Sequence, residues 1–400
     1  MKTITDFISD KTCFGCGMCV SICPKKAIEL RENNDGFYCP SLVNSEVCNE
    51  CGLCTKVCSY IDSQRTSYNS PLNAFGAWSN DPEARNKCSS GGVAFEVGRY
   101  LLSQGYKVCS VKFNPQENRA EHYIASSILE LISSTGSKYI QSYTIDAFRS
   151  INRKGKYLVI GTPCQIDSLK KYASLYHCES NFVFVDFFCH GVPSKLMWDK
   201  YVEEAEKTVG KITYASWRNK FKGWHDSWSI GINGEKNEVN RICTKSYSQL
   251  IKETKTYIDS RFSHGDVFYR MFLEHHCMSM ACHKDCKFKK YHSSADIRLG
   301  DFWGNTYARN EEGVSSVLCF TEKGKEILMN SNITLVNHDP EIVCEGQLAT
   351  NARASFMRPC FMRKLRDKKS TLADIRRLLT IFSIIMLPKR IYNKLKFVLR

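Results

Sequence analysis

The chain has 400 residues, of which 43% are hydrophobic and 12% aromatic, a composition that excludes a disordered protein and predicts two or three domains. Its formal net charge is +15, but no nucleic-acid motif accompanies the basic residues, so we expect no nucleic-acid partner. The N-terminus has no signal-peptide pattern, and no apolar run reaches the roughly 18 residues of a membrane span, so we expect a cytoplasmic protein. In a reducing compartment, 21 cysteines indicate metal ligands and free thiols.

Two identical cysteine runs occupy the N-terminal segment. Each has the spacing C-x2-C-x2-C-x3-C, which holds [4Fe–4S] clusters in bacterial-type ferredoxins. Three thiolates of a run bind one cluster, and the fourth ligates the neighbouring cluster. The spacing therefore predicts two clusters, held by Cys13, Cys16, Cys19 and Cys58 and by Cys48, Cys51, Cys54 and Cys23. Zinc sites take ligands in pairs rather than two runs of four, which disfavours zinc.

The secondary structure expected after these runs indicates a second fold. Between the runs, a hairpin is predicted at 27–30 and 37–39, and the polar segment 62–71 is a candidate linker. Strands and helices then alternate, with strands expected at 75–78, 106–113, 156–160 and 182–188. This order predicts an α+β ferredoxin domain followed by an α/β domain with a mixed sheet.

Further cysteines follow these strands. Cys164 and Cys189 come directly after neighbouring strands, at the sheet edge where α/β proteins bind ligands. Cys277, Cys282 and Cys286 lie within ten residues of each other and are a candidate metal site. Three interpretations remain open: free thiols, a zinc site, or a third [4Fe–4S] cluster that the strand-end cysteines complete. The spacing does not determine which four thiols would be the ligands.

Two other segments have more than one interpretation. The Ser89–Gly92 loop opens a helix and is either an anion site or a structural cap. At the C-terminus, an apolar stretch at 378–387 precedes Pro388, which we expect to break the helix, and 391–400 is a short basic amphipathic helix. This tail would contact a membrane surface or a partner, or pack on the body of the protein.

Several short motifs, in order, resemble the family of coenzyme F420 hydrogenase/dehydrogenase beta subunits, in the form with an N-terminal ferredoxin domain. They are Ser89–Gly92, Gly136–Ser142, Gly161–Gln165, Cys189–Ser194, Trp217–Lys220 with Gly223–Trp224, and Ala295–Gly304. Two departures are Cys88, where serine is expected, and the C-x3-C spacing of Cys282 and Cys286, where C-x2-C is usual.

The resemblance implies a flavin-binding domain, FAD as a cofactor and a third cluster. The implied flavin-site residues are Ser89, Ser90, Gly91, Gly92, Ser137, Lys138, Tyr139, Gln141, Thr162, Gln165 and Asp301. Lys138 would offset negative charge, and Gln165 would hydrogen-bond the ring edge. The preferred third-cluster ligands are Cys189, Cys277, Cys282 and Cys286, with Cys164 as the alternative ligand or a redox thiol. Cys164 and His190, a candidate proton relay, are the catalytic candidates.

The expected domains are a ferredoxin domain (1–62), the two parts of the beta-subunit-like region (72–155 and 156–345) and a basic amphipathic tail (365–400). One expected function is an FAD- and cluster-dependent oxidoreductase acting on a small substrate, in surface-polysaccharide metabolism, with its tail at the inner face of the membrane. The other is an electron-transfer subunit serving a separate catalytic partner. The sequence leaves open the substrate, the direction of electron flow, the use of F420 and the oligomeric state.

Overall fold

A computed structural model describes residues 3–61, 67–236 and 265–398. The strands in these ranges are β1 (Ile28–Glu32), β2 (Tyr38–Leu42), β3 (Asn73–Ser79), β4 (Lys107–Asn114), β5 (Arg119–Ala125), β6 (Ser142–Tyr143), β7 (Tyr157–Ile160), β8 (Phe182–Phe187), β9 (Ile212–Ser216), β10 (Gly231–Gly234), β11 (Ile297–Asp301), β12 (Ser315–Cys319) and β13 (Ile333–Asn337).

The α-helices in the same ranges are α1 (Met18–Ser21), α2 (Leu53–Lys56), α3 (Pro82–Lys87), α4 (Val93–Ser103), α5 (Ile128–Ile132), α6 (Ile145–Ser150), α7 (Pro163–Leu175), α8 (Lys195–Val209), α9 (Val267–Leu273), α10 (Met280–Lys284), α11 (Glu322–Asn330), α12 (Pro340–Val343), α13 (Arg358–Arg366) and α14 (Leu372–Val398). None of them is long and apolar enough to span a bilayer.

A mixed sheet of nine strands forms the centre, in the order β13-β3-β12-β11-β8-β7-β4-β5-β6. Its middle strands β4, β7, β8 and β11 run parallel, while β12, β3 and β13 pair antiparallel at one side. The expected mixed α/β class is therefore confirmed. The strands expected at 75–78 and 106–113 are both present, but β12, β11, β8 and β7 lie between them.

The unit β7–α7–β8 positions the cysteines at the sheet edge. Its strands are short runs of large apolar residues that suit a sheet covered on both faces. Tyr157 pairs in register with Phe182, and Ile160 with Val185, so the two strands are parallel and β8 ends two residues beyond β7. Cys164 and Cys189 consequently follow the carboxyl ends of adjacent strands, as the sequence predicts.

Alternate residues of the central strands face opposite layers. Leu158 and Val183 pack with α4 and α11 on one face. Val159 and Phe184 pack with α6 and α7 on the other. This second layer also includes Met18, Ile22 and Val57 from the N-terminal segment, so that segment completes the core of the α/β body.

Polar contacts dock the N-terminal segment on the same layer. Gln141 accepts a hydrogen bond from Tyr38 N at 2.8 Å and donates one to Phe14 O at 3.1 Å. Thr144 Oγ1 donates to Cys16 O at 3.0 Å, and Lys171 Nζ donates to Cys58 O at 2.9 Å. The cysteine loops are therefore held directly against α6 and α7.

A third, mainly helical cluster contains α8, α9, α13 and the start of α14. The helix break expected at Pro388 is wrong, because α14 continues from Leu372 to Val398. A proline removes one N–H donor, and the turns before it remain packed on the body through Leu379 and Phe382, which are 1% and 7% exposed.

Candidate functional site

The first cysteine group lies where α1 meets the α/β body. One pocket is lined by Cys13, Cys16, Cys19 and Cys58. The loop bends at Gly15 and Gly17, with φ of 67° and 78°. A Cβ at Gly15 would collide with Gln141, and one at Gly17 with Thr144. Glycine therefore allows the loop to reverse direction while touching the neighbouring layer.

The second cysteine group lies beside the first. A second pocket is lined by Cys23, Cys48, Cys51 and Cys54. Each pocket thus receives three cysteines from one run and the last cysteine of the other, which is the crossed arrangement that the spacing predicts. Cys51 is exposed, so the second site reaches the protein surface.

The chemistry of these thiols fits iron–sulfur clusters. Burial raises the pKa of Cys19 well above its usual value, and the neighbouring Cys16 and Cys58 thiols raise it further. Deprotonated thiols this close in a desolvated site repel each other, and the positive iron–sulfide core offsets that repulsion. Within residues 3–61, 67–236 and 265–398, no three His, Cys, Asp or Glu side chains are close enough together to hold a single metal ion. A cubane needs a wider arrangement, because its four thiolates surround a larger core.

A third group of thiols lies at the carboxyl edge of the sheet. Burial raises the pKa of Cys164, and Cys16, Cys189 and Cys282 raise it further. Burial also raises the pKa of Cys282 to about 12, with added contributions from Cys189 and Cys286. These mutual interactions bring Cys164, Cys189, Cys282 and Cys286 into one neighbourhood.

Cys277 lies apart from this group. It is fully buried in the helical core, and its thiol donates to Met271 O. Burial raises the pKa of Cys277 to about 12, and no other cysteine of the described ranges contributes to that rise. The structure therefore brings Cys164, the alternative third-cluster ligand, to the position for which the sequence analysis preferred Cys277.

Backbone pairing joins the two loops of the third group. Ser279 N donates to Val192 O at 3.0 Å, and Ser194 N donates to Cys277 O at 2.8 Å. Gly191 has a φ of 133°, and a Cβ there would lie 3.2 Å from the Cβ of Cys282. This close approach explains why a glycine follows Cys189 and His190.

A buried cation accompanies the third group. Lys289 is 7% exposed, and its Nζ donates to Cys189 O at 2.8 Å. Burial raises the pKa of Cys189, and the Lys289 charge opposes that rise. This lysine lies in the basic run that follows Cys286, and the cysteine spacing alone gave it no role.

His190, the candidate proton relay, faces a second histidine. Its Nε2 lies 2.9 Å from Nε2 of His275. Burial lowers the pKa of His190 to about 3, and the neighbouring His275 lowers it further. Burial likewise lowers the pKa of His275 to about 4. Both imidazoles are therefore neutral at physiological pH, and a hydrogen bond between them holds one proton.

Several of the implied flavin residues converge on Arg218, which is 4% exposed. Its guanidinium donates to Asp301 Oδ2 at 2.9 Å, to Tyr139 OH at 3.3 Å and to Ser89 O at 3.4 Å. Ser137 N donates to Ser89 Oγ at 2.8 Å. The 89–92 loop, the 136–139 segment and Asp301 are thus assembled around one arginine.

Aromatic rings extend this assembly. Tyr139 stacks on Trp228, Trp228 on Trp303, and Trp303 on Trp224, with centroid distances of 5.5, 6.2 and 5.5 Å. The Arg218 guanidinium lies 4.4 Å from the Trp228 ring centroid. The indole N–H of Trp228 is buried without a partner in the described part of the chain. Arg218 belongs to the Trp217–Lys220 motif, but the motif alone indicated no role for it.

Two lysines flank the 88–92 loop. Lys138 Nζ donates to four backbone carbonyls at 136 and 133–135, between 2.9 and 3.4 Å. Lys220 Nζ donates to the carbonyls of Arg85, Ser90 and Glu312. Burial lowers the pKa of Lys138 to about 7 and that of Lys220 to about 8. An anion placed between them would raise both pKa values, because a nearby negative charge favours the protonated form of each lysine.

The glycines of this loop have structural reasons to be there. A Cβ at Gly91 would collide with Ala77 O, and Gly91 N donates to Ser315 Oγ at 3.0 Å. Gly92 caps α4 with a φ of 86°. Ser90 Oγ donates to Val314 O at 2.9 Å.

Three implied flavin residues lie away from Arg218. Gln141 docks the N-terminal segment, as described above. Thr162 and Gln165 form the capping box of α7, in which Gln165 Oε1 accepts from Thr162 N at 2.9 Å and Gln165 Nε2 donates to Ser142 Oγ at 3.0 Å. Thr162 Oγ1 lies 3.2 Å from Cys164 Sγ. These three residues therefore border the thiol groups.

Comparison with known proteins shows matches along most of the chain. Residues 12–60 match a 4Fe–4S dicluster domain. Residues 74–149 match the N-terminal region of the coenzyme F420 hydrogenase/dehydrogenase beta subunit, and residues 154–338 match its C-terminal region.

Two proteins of methanogens are similar to this chain. It is 30% identical over 173 residues to one of the subunits of the F(420)H(2) dehydrogenase of Methanosarcina mazei, an alignment that covers 40% of this chain and 49% of the relative. The chain thus spans about half the length of that relative. A chain in the F420-reducing [NiFe] hydrogenase complex of Methanosarcina barkeri aligns with 75% of this chain and 90% of its own length, at 18% identity and a TM-score of 0.42.

Proposed function

Because this chain belongs to the family of coenzyme F420 hydrogenase/dehydrogenase beta subunits and carries a 4Fe–4S dicluster domain, we propose that it is an iron–sulfur flavoprotein oxidoreductase that exchanges electrons between FAD and [4Fe–4S] clusters. Membership of this family, together with the dicluster domain, by itself indicates an iron–sulfur electron-transfer protein related to the hydrogenase beta subunit. The number of clusters, the flavin and the substrate are parts of the proposal.

The succession of cysteine groups carries the proposal. We call the second group the outer group, the first group the middle group and the third group the inner group. Cys54 of the outer group raises the pKa of Cys19 in the middle group, and Cys16 of the middle group raises the pKa of Cys164 in the inner group. Each group therefore lies within electrostatic reach of the next. We assign the inner group, Cys164, Cys189, Cys282 and Cys286, as the ligands of a third [4Fe–4S] cluster.

The assembly around Arg218 supports an FAD site. Lys138 and Lys220 are ammonium groups without a carboxylate among the hydrogen-bond partners described above, and they lie on either side of the 88–92 loop. A pyrophosphate is the type of anion that such a pair attracts. The stacked rings of Tyr139, Trp228 and Trp303 offer flat apolar faces next to them, which suits an isoalloxazine or adenine ring.

The residues of the chain divide the work of electron transfer. When bound, FAD would exchange two electrons with a substrate and pass single electrons to clusters. The Lys138 and Lys220 charges would hold the anionic cofactor, and Asp301 fixes Arg218 beside the aromatic rings. Lys289 stabilises negative charge at the inner thiols. His190 and His275 hold a proton next to that group.

The proposed reaction partner is a small substrate of surface-polysaccharide metabolism. This choice rests on the Cys189–Ser194 and Gly300–Gly304 segments, which resemble those of family members from bacterial surface-polysaccharide loci. F420 is a second candidate donor or acceptor. Both would exchange electrons at the flavin end of the succession.

An electron-transfer subunit that serves a separate catalytic protein is the second candidate function. The exposure of Cys51 favours it, because the outer group would then face a redox partner. Val47, in the same loop, is 40% exposed and adds apolar surface to that face. The two functions share the same cofactors and differ in whether a small substrate reacts at the flavin.

Anaerobic purification followed by iron, sulfide and flavin analysis tests the proposal. We expect about 12 irons and one FAD per wild-type chain, since each cubane holds about four irons. Cys164→Ser should hold about eight irons, whereas the matched variant Cys277→Ser should keep about 12. Loss of four irons from Cys277→Ser but not from Cys164→Ser would overturn the ligand assignment. A chain without flavin after reconstitution would exclude the flavoprotein.

Substrate reactivity then separates the two functions. Reduced protein is mixed anaerobically with oxidised F420 or with a nucleotide-linked keto-sugar, and reoxidation of the flavin is followed by absorbance. Reoxidation by either compound supports the oxidoreductase. Reoxidation only by a protein acceptor such as ferredoxin supports the electron-transfer subunit.

A further inference from the structure

The C-terminal helix α14 has two apolar faces, of which the protein body covers one. The covered face consists of residues that are at most 7% exposed, namely Leu372, Ile375, Leu379 and Phe382. They contact α8, α9 and α13 in the helical core. This half of the helix is therefore a fixed part of the fold.

The opposite face points to solvent. Its members are between 47% and 65% exposed, namely Ile381, Ile384, Ile385 and Leu387. Positions three or four apart lie on one side of a helix, so these four side chains form one stripe along α14. Phe356, which is 61% exposed, places its ring centroid 5.7 Å from that of Phe382 in a tilted arrangement.

The charge of this segment has one sign. Residues 375–400 contain no Asp or Glu, and their basic residues are Arg376, Arg377, Lys389, Arg390, Lys394, Lys396 and Arg400. Two copies of such a helix would repel each other, which disfavours pairing of this face with itself. An exposed apolar stripe with basic residues on a helix is the pattern of segments that lie flat on anionic bilayers.

We propose that the exposed face of α14 lies on an anionic membrane surface and holds the protein there. The isoleucines would enter the interface between headgroups and acyl chains, and the basic residues would contact lipid phosphates. The covered face keeps the helix attached to the body, so the whole protein would be held at the surface. This inference does not depend on the proposed redox function, because no cluster or flavin candidate lies in α14.

Co-sedimentation of the anaerobically purified full chain with vesicles tests the proposal. We expect binding to phosphatidylcholine vesicles that contain about 30% phosphatidylglycerol, weaker binding in high salt, and little binding to pure phosphatidylcholine. Ile384→Glu/Ile385→Glu should weaken binding at least roughly tenfold, because two apolar side chains that would enter the bilayer interface become charged. The control Met329→Glu changes a residue that is 68% exposed on α11 and should bind like the wild type.

A conservative variant covers the case in which the double substitution disturbs folding. The emission of the tryptophan introduced by Ile385→Trp should shift to shorter wavelength when anionic vesicles are added. The emission of the tryptophan introduced by Met329→Trp should not shift. Equal binding of wild type and Ile384→Glu/Ile385→Glu would overturn the proposal, as would absence of the fluorescence shift. A concentration-dependent dimer that the double variant abolishes, without vesicle binding, would instead identify the face as a contact between copies. Iron and flavin contents should be unchanged in all four variants.

Discussion

Replacement of Lys289 by methionine should lower the reduction potential of the inner cluster. Methionine has a similar length and retains apolar packing, but it removes the positive charge next to Cys189 O. Reduction adds one negative charge to a cluster, so a nearby cation favours the reduced form. Without the cation, the reduced form becomes less stable and the potential falls.

The magnitude follows from Coulomb's law. With an effective dielectric constant of about 20 and a separation of about 7 Å between the ammonium and the cluster charge, the interaction is about 2.4 kcal/mol. For a one-electron couple, about 1.4 kcal/mol corresponds to about 60 mV. The expected shift is therefore roughly −100 mV. Burial of Lys289, at 7% exposure, keeps solvent from screening most of it.

Potentiometric titration monitored by electron paramagnetic resonance measures the shift. One of the midpoint potentials should fall, and the other two should stay within about 20 mV, since Lys289 lies beside the inner group alone. Lys290→Met is the matched control, because the Lys290 ammonium pairs with Glu341 at 2.7 Å on the surface. An unchanged set of potentials in Lys289→Met at full iron content would refute the placement of a cluster at these thiols.

Three other substitutions test separate parts of the site. Lys138→Met should lose FAD while Lys138→Arg retains it, as measured by released flavin; full flavin in both would remove Lys138 from the binding site. In the flavin-free protein, the Lys138 pKa of about 7 lies below the unfolded value of about 10.4, so the unfolded state binds more protons between these pH values and stability should rise with pH. Urea unfolding at several pH values should show a smaller rise for Lys138→Met, and an equal rise would contradict the lowered pKa. Gln141→Ala should lower the free energy of unfolding by about 1–3 kcal/mol, because Tyr38 N and Phe14 O lose their hydrogen-bond partner. Limited proteolysis of the N-terminal segment should become faster. Unchanged proteolysis would argue against docking through Gln141. Cys51→Ser should lose iron from the outer site, whereas Cys39→Ser, at a cysteine outside both quartets, should keep all of it; iron loss from Cys39→Ser would contradict the assignment of the two groups.

The sequence predicted the features that depend on local spacing. The crossed cysteine groups follow from two short runs, and strands β7 and β8 follow from two short apolar segments. Their ends place Cys164 and Cys189 together, because parallel neighbouring strands finish at one edge. These predictions needed no knowledge of contacts between distant segments.

Contacts between distant segments were harder to predict. Cys277 and Cys164 are both cysteines near the edge, and only the packing of α9 shows that Cys277 belongs to the apolar core. Gln141 and Gln165 have partners in the N-terminal segment and in the α7 cap, which sequence spacing does not reveal. Pro388 was expected to end a helix, but packing of the preceding turns outweighs one missing hydrogen bond. The role of Arg218 emerges only when four segments meet.

The docking of the N-terminal segment has a consequence for how the protein matures. Met18, Ile22 and Val57 fill one layer of the α/β core, and they lie on the loops that the cysteines organise. A newly made chain that receives no iron would leave these loops without their internal scaffold and the layer around α6 and α7 uncovered. We therefore expect cluster assembly during biogenesis to affect the packing of the α/β body as well as the redox activity.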